Sequence, residues 1–305
     1  MIPVSQTTIC RLARAAVATL VLAAVAAARA DGPAPFVAPA VAPAGTAAAA
    51  AVPSQPPPAA PVAPASAAEA LSSFACGAPA ALVRLDAPLR YTARRLATGE
   101  PLTVVAIGSS STAGAGASSP AASYPNRLAA ELKQRFPGDA ITVLNRGVNG
   151  EETQDMMARF ETAVIAEHPQ LVLWQVGTNS VLRDHPVKPH AVLLREGIEE
   201  LKATRADVVL IDPQYAPKVL DKSETPEMLD LIDVAAKAEN VGVFHRFDIM
   251  RNWYEVQHIP FDGFVSPDGL HMNDWGYACW ATLFGAAIAQ AATIPVASAM
   301  THSGR

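Results

Sequence analysis

A chain of 305 residues has room for one large domain or two small ones. It carries 23 basic against 28 acidic residues, a net charge of −5. That balance argues against a nucleic-acid or anionic-membrane partner, which selects for concentrated Lys and Arg. Half of the residues are hydrophobic, but alanine in the first 70 positions inflates that share. After residue 30 no apolar run reaches the ~18–20 residues that a bilayer span needs.

Residues 1–30 read as an export signal. Arg11 and Arg14 precede the apolar run AAVATLVLAAVAA, and Ala28-Arg29-Ala30 offers small residues two apart before Asp31. The expected destination is periplasmic or extracellular. Residues 31–70 form an Ala/Pro-rich spacer: positions 31–68 hold 10 prolines and 16 alanines, with Asp31 the only charge. Prolines at that frequency forbid helix, and the segment has too little apolar variety for a core, so an extended tether is expected. The folded domain is expected over 71–295, with a disordered tail over 296–305. Two cysteines remain after the leader, Cys76 and Cys279, one near each end of the domain. In an oxidising compartment they are either a disulfide tying the ends together or two buried thiols.

Within the domain, short β-branched runs alternate with helical periodicity. A helical segment is expected at 80–98, interrupted by Pro88, and the first strand at 102–107 (LTVVAI). Tyr124, Leu128, Leu132 and Phe136 then recur every four residues, predicting a helix that ends at Gly138. A strand follows at 141–145, and a helix at 153–167 with Thr153 as its N-cap. Further strands are expected at 171–176, 207–212 and 241–245. Helices are expected at 189–205, 225–239 and about 275–291. Nearly continuous apolar strands separated by helices predict a parallel sheet covered on both faces. Chemistry in such a fold belongs beyond the carboxyl ends of the strands.

Four loops carry candidate chemistry. After the first strand stands Gly108-Ser109-Ser110-Ser111-Thr112, which can present a serine hydroxyl at a helix N-terminus. There the dipole and free N–H groups favour developing negative charge. The loop lacks the Lys-Ser/Thr ending of a nucleotide P-loop and the glycine spacing of a dinucleotide fingerprint. After the second strand comes Asn145-Arg146-Gly147-Val148-Asn149-Gly150, whose last glycine can offer a backbone N–H to an anion. After the third comes Gly177-Thr178-Asn179-Ser180, whose Asn amide can donate into the same crevice. Near the C-terminus, Ser266-Pro267-Asp268-Gly269-Leu270-His271 places a carboxylate three residues before an imidazole. That carboxylate can fix the tautomer and leave Nε2 facing a nucleophile. No HExxH or paired HxH spacing supports a metal site, and no cofactor is called for. Two aromatic-bearing segments, Asp212-Pro213-Gln214-Tyr215 and Trp253-Tyr254, are either sugar-stacking platforms or core and lid residues.

Taken in order, the Ser loop, Gly loop, Asn loop and Asp-x-x-His resemble the SGNH hydrolases, also called the GDSL-type esterase/lipase family, over about residues 102–292. The resemblance implies a flavodoxin-like three-layer α/β sandwich with strand order 2-1-3-4-5. It implies Ser110 as nucleophile, with Asp268 and His271 completing a triad. Ser110, Gly150 and Asn179 are implied as oxyanion donors. The implied activity is hydrolysis of carboxylic esters through an acyl-enzyme, on a small-molecule or glycan ester. Acetyl or other short acyl groups, including O-acetyl groups on carbohydrate, fit an exported enzyme. A broad arylesterase, thioesterase or lysophospholipase and a catalytically silent envelope-binding module are the alternatives. Two positions depart from the family pattern: Ser109 stands where the family has the Asp of its name, and Ser180 where Asp usually follows the Asn.

Overall fold

The computed structural model describes residues 74–293. The expected leader, the spacer and the tail lie outside the described residues. Five parallel strands form one sheet: β1 (Leu102–Gly108), β2 (Ile141–Gly147), β3 (Leu171–Gln175), β4 (Asp207–Ile211) and β5 (Gly242–Phe244). Their order is β2-β1-β3-β4-β5, as the resemblance implied. Leu102 pairs with Ile141 and Gly108 with Gly147, so β1 and β2 end level.

Alternate strand residues point to opposite faces, and both faces are covered. Val104, Ala106, Leu171, Leu173, Val209 and Ile211 enter one core. Val105, Ile107, Val172, Trp174, Val208 and Leu210 enter the other. Over the first core lie α1 (Arg90–Thr98), α3 (Tyr124–Arg135) and the long α12 (Asp274–Thr293), which buries Tyr277, Trp280 and Phe284. Over the second lie α7 (His190–Ala203) and α9 (Thr225–Glu239). Short helices fill the connections between strands and between β5 and α12: α2 (Ser110–Ala113), α4 (Thr153–Met157), α5 (Phe160–Ala163), α6 (Thr178–Leu182), α8 (Pro217–Leu220), α10 (Arg246–Arg251) and α11 (Phe261–Phe264).

Three expectations need correction. The segment 80–98 is helical only from Arg90, because Pro88 cannot continue a helix and the residues before it close turns of their own, such as Leu82 N–H to the Pro79 carbonyl. The single helix expected at 153–167 is instead α4, α5 and a 3-10 turn at Ile165–Glu167. Arg159 leaves helical geometry at φ −118°, ψ 13°, and its guanidinium bonds the Glu151 carboxylate and the Arg146 carbonyl. Nor is Thr153 the cap: Glu152 is, in a reciprocal box with Asp155, and Thr153 is a buried first-turn residue whose hydroxyl has no partner.

Candidate active site

Ser110 opens α2 directly after β1, so its N–H has no intrahelical acceptor. Its neighbours are turned inward. Ser109 and Ser111 are both buried, and Ser109 donates through N–H (2.8 Å) and Oγ (2.9 Å) to Gln175 Oε1 at the end of β3. Of the three serines, Ser110 is the one whose hydroxyl meets an imidazole, with Oγ 2.7 Å from His271 Nε2.

His271 lies 161 residues further on, in a closed loop. Val265 and Met272 bridge in antiparallel fashion, and Ser266 N–H donates to the His271 carbonyl at 2.7 Å. Asp268 Oδ2 sits 2.5 Å from His271 Nδ1. A carboxylate can only accept, so Nδ1 carries the proton and Nε2 accepts from Ser110. Asp268 Oδ1 accepts from Ser266 Oγ (2.7 Å) and from the N–H groups of Leu270 and His271 (both 2.9 Å). Partial burial pushes the Asp268 carboxyl up, but the bonds from His271, Ser266 and Leu270 outweigh it and hold the group well below the usual carboxylate range.

Gly150 lies beyond β2 at φ +81°, a conformation that favours glycine. Its loop is anchored to the turn before Ser110 by Val148 N–H, which donates to the Gly108 carbonyl at 3.0 Å. Asn179 was expected in a loop. It instead occupies the first turn of α6, directly beyond β3, and its Nδ2 donates to the Glu151 carbonyl at 2.8 Å. The structure thus joins Ser110, Asp268 and His271 by direct bonds, and ties the Gly150 loop to Asn179.

Gln175, Arg183 and Arg246 of this rim were not singled out from sequence, and Gln214 was named only within an aromatic-bearing segment. Gln175 ends an otherwise apolar strand, and that polar residue in a buried run was the available signal. Gln214, after β4, accepts from Thr178 Oγ1 (3.1 Å) and from Arg246 (2.9 Å), and donates to the Leu270 carbonyl at 3.2 Å. Buried Arg246 also donates twice to the Asp212 carbonyl. These bonds link the loops after β3 and β4 to the His271 loop. Glu152 and Arg183 lace the Gly150 loop to α6. The aromatic candidates divide. Trp253 is fully buried with its indole N–H on the Gly77 carbonyl, Tyr215 is buried with its hydroxyl on Glu255, and Tyr254 is part-exposed and stacked on Phe261. Cys76 and Cys279 form a disulfide with Cα atoms 5.3 Å apart, tying the start of the described chain to α12.

Comparison with known proteins decides the family. The model of the non-GDSL lipase-like family matches residues 75–294. The chain belongs to that family. Its description agrees with the Gly-Ser-Ser that stands here in place of Gly-Asp-Ser, and with the SGNH resemblance drawn from the four motifs. An acetylxylan esterase of Geobacillus stearothermophilus is 31% identical over 94 residues, 28% of this chain and 43% of that protein. An arylesterase of Vibrio mimicus is 30% identical over 103 residues, 32% of this chain and 50% of that protein. The chain thus spans half or less of the curated relatives it matches. Among solved structures, a two-domain esterase active on acetylated mannans aligns at TM-score 0.59 and 18% identity, over 71% of this chain and 59% of that one, a likeness of fold.

Proposed function

We propose that the chain is an exported serine ester hydrolase acting on acetyl or other short acyl esters, including O-acetyl groups on carbohydrate. The observation that carries this reading is the continuous line from Asp268 through His271 to Ser110, with Oγ and Nε2 2.7 Å apart. His271 Nε2 takes the Ser110 proton as Oγ bonds to the ester carbonyl carbon. Asp268 orients the ring and stabilises its cationic form. The oxyanion is held by the N–H groups of Ser110 and Gly150 and by the Asn179 amide. Collapse breaks the ester C–O bond, and the His271 proton passes to the departing alcohol. Water, deprotonated by the same imidazole, then cleaves the acyl-enzyme and frees Ser110 and the acid.

The acetyl preference rests on what the relatives do: one is an acetylxylan esterase and one fold neighbour acts on acetylated mannans. The arylesterase relative favours a second reading, a broad enzyme for short aryl esters. Export rests on the leader and tether read from sequence, and on the disulfide, which suits an oxidising compartment. The test compares wild type with Ser110→Ala on p-nitrophenyl acetate and palmitate, and on acetylated xylan and mannan. Acetate esters should be cleaved, with activity and fluorophosphonate labelling lost in the variant. An unchanged rate in Ser110→Ala would refute the mechanism. Aryl acetate turnover without acetate release from either glycan would favour the arylesterase reading.

A further inference from the structure

We infer that Arg183 and Glu152 form a clamp that positions the Gly150 N–H for the oxyanion, an inference that rests on the hydrolase reading above. The strand ladder ends at Gly147, so β-pairing does not hold Gly150. Besides the Val148 anchor on Gly108 and the Arg159 bonds to the Glu151 carboxylate, its loop is held by α6 and the residue just after it. Three consecutive residues of the loop receive donors from that segment. Arg183 Nη2 donates to the Gly150 carbonyl at 2.7 Å, Asn179 Nδ2 to the Glu151 carbonyl at 2.8 Å, and Ser180 Oγ to Glu152 Oε2 at 2.8 Å. Arg183 Nη1 closes the ring on Glu152 Oε1 at 2.5 Å, and His185 Nδ1 lies 3.1 Å from Oε2. The Gly150 N–H takes part in none of these bonds. One guanidinium therefore fixes both the carbonyl side of the Gly150 peptide and the carboxylate two residues later, in the one stretch where glycine freedom would let the donor swing.

Glu152 is suited to the task. Its own N–H donates to Asp155 Oδ2 at 3.0 Å, so the residue also caps α4 and cannot drift with the loop. Partial burial pushes its carboxyl up, but the bonds from Ser180, Arg183 and His185 outweigh it and hold the group below its ordinary value. Buried Ser180 explains its own departure from the family pattern: an Asp there would set a second carboxylate at hydrogen-bond distance from Glu152. An ordinary surface ion pair of this kind, with Arg183 45% exposed, affects stability little and chemistry not at all. A clamp on an oxyanion donor affects the transition state, since such donors act only when held near their productive geometry.

The test uses the full chain and p-nitrophenyl acetate, with wild type, Arg183→Ala, Arg183→Lys, Glu152→Gln and a control, Arg195→Ala. Among the described residues Arg195 pairs only with Glu199, at 3.9 Å on the exposed side of α7. A trifluoromethyl ketone serves as tetrahedral mimic. In Arg183→Ala, kcat should fall ~10–100-fold, less than deletion of a donor, with KM within about twofold. Affinity for the ketone should fall by the same factor as kcat/KM. Lysine, a single point charge, should recover only part of the loss, and Glu152→Gln should lose activity in the same way. The inference is overturned if Arg183→Ala keeps kcat within twofold, if ketone affinity stays put while kcat falls, or if Arg195→Ala falls equally. If Arg183→Ala does not fold, the same criteria apply to Glu152→Gln. Loss of all activity in wild type, or full activity in Ser110→Ala, would instead defeat the hydrolase reading itself.

Discussion

Gly116→Ala should separate Ser110 from His271 without substituting either residue. Gly116 follows the Ser110 turn at φ +86° and passes against the His271 loop. A Cβ there would lie 2.4 Å from the Met272 carbonyl oxygen, 2.8 Å from His271 Cβ and 3.2 Å from Ser266 Oγ. Reaching an ordinary contact of 3.4 Å with that oxygen requires a movement of about 1 Å. The Gly116 side cannot supply it freely, because Tyr277 donates to the Ala115 carbonyl at 2.7 Å and Ser118 donates twice to Asp274. The His271 loop moves instead, and the 2.7 Å bond between Nε2 and Oγ stretches to about 3.7 Å, outside hydrogen-bond range. A misplacement of about 1 Å costs roughly 10²-fold in rate. The left-handed backbone adds ~1–2 kcal/mol of strain and overpacking ~1–3 kcal/mol, which together lower Tm by several degrees at least. Steady-state kcat on p-nitrophenyl acetate and calorimetric Tm measure the two effects. The control is Gly138→Ala, with φ +96° but nothing within 4 Å of its Cβ, which should show strain alone and full activity. Wild-type kcat in Gly116→Ala would refute the claim that this contact sets the distance from serine to histidine.

Two further outcomes follow from the same geometry. Asp268→Asn keeps the loop but presents an amide to Nδ1, which favours the wrong tautomer and should lower kcat by roughly 10⁴. Its stability effect has a definite sign: the folded-state pKa is depressed, so the Asp268 contribution is present above its unfolded value of ~4 and is lost as pH falls below it. The Tm gap between wild type and Asp268→Asn should therefore be full at pH 6 and close on acidification, and a gap that widens below pH ~4 would contradict the assignment. Replacing Cys76 and Cys279 with alanine opens a loop spanning a sequence separation of 203 residues and should cost ~2–5 kcal/mol, read as a Tm fall of about 5–15 °C. Equal melting of the double variant and the oxidised wild type would show that the bond does not stabilise the fold.

Most of the sheet was legible because each strand is an apolar run between turn residues, and every strand falls within two residues of its expected ends. The meeting of Ser110, Asp268 and His271 was legible for a different reason. Asp268 and His271 are three apart in one tight loop, Ser110 follows the first strand, and the strand order that the resemblance implied brings them to one edge. What was not legible depends on pairs with no periodicity. Ser109 finds Gln175 across 66 residues and Ser180 finds Glu152 across 28, and neither spacing announces a contact. The break at 158–159 has the same origin: helical propensity favoured continuation, but the Arg159 guanidinium satisfies Glu151 and a strand-end carbonyl, a tertiary gain that local pattern does not reveal.

Those pairs also explain how the site tolerates serine at both positions where the resemblance leads one to expect aspartate. Both hydroxyls are buried, and each donates to an acceptor supplied by a neighbouring element: Gln175 Oε1 for Ser109, Glu152 Oε2 for Ser180. A carboxylate has no proton to donate, so aspartate at 109 would face an amide oxygen already occupied by its own backbone N–H, and aspartate at 180 would face an ionised glutamate. In this chain the acceptors are Gln175 at the end of β3 and Glu152 in the Gly150 loop, and the serines contribute the donors. The cost of mixing the two arrangements is an unpaired buried charge, which is far larger than the loss of either hydrogen bond. Ser109 with Gln175 and Ser180 with Glu152 are therefore each a unit, and a single reversion toward aspartate in this chain breaks a bond without making its replacement.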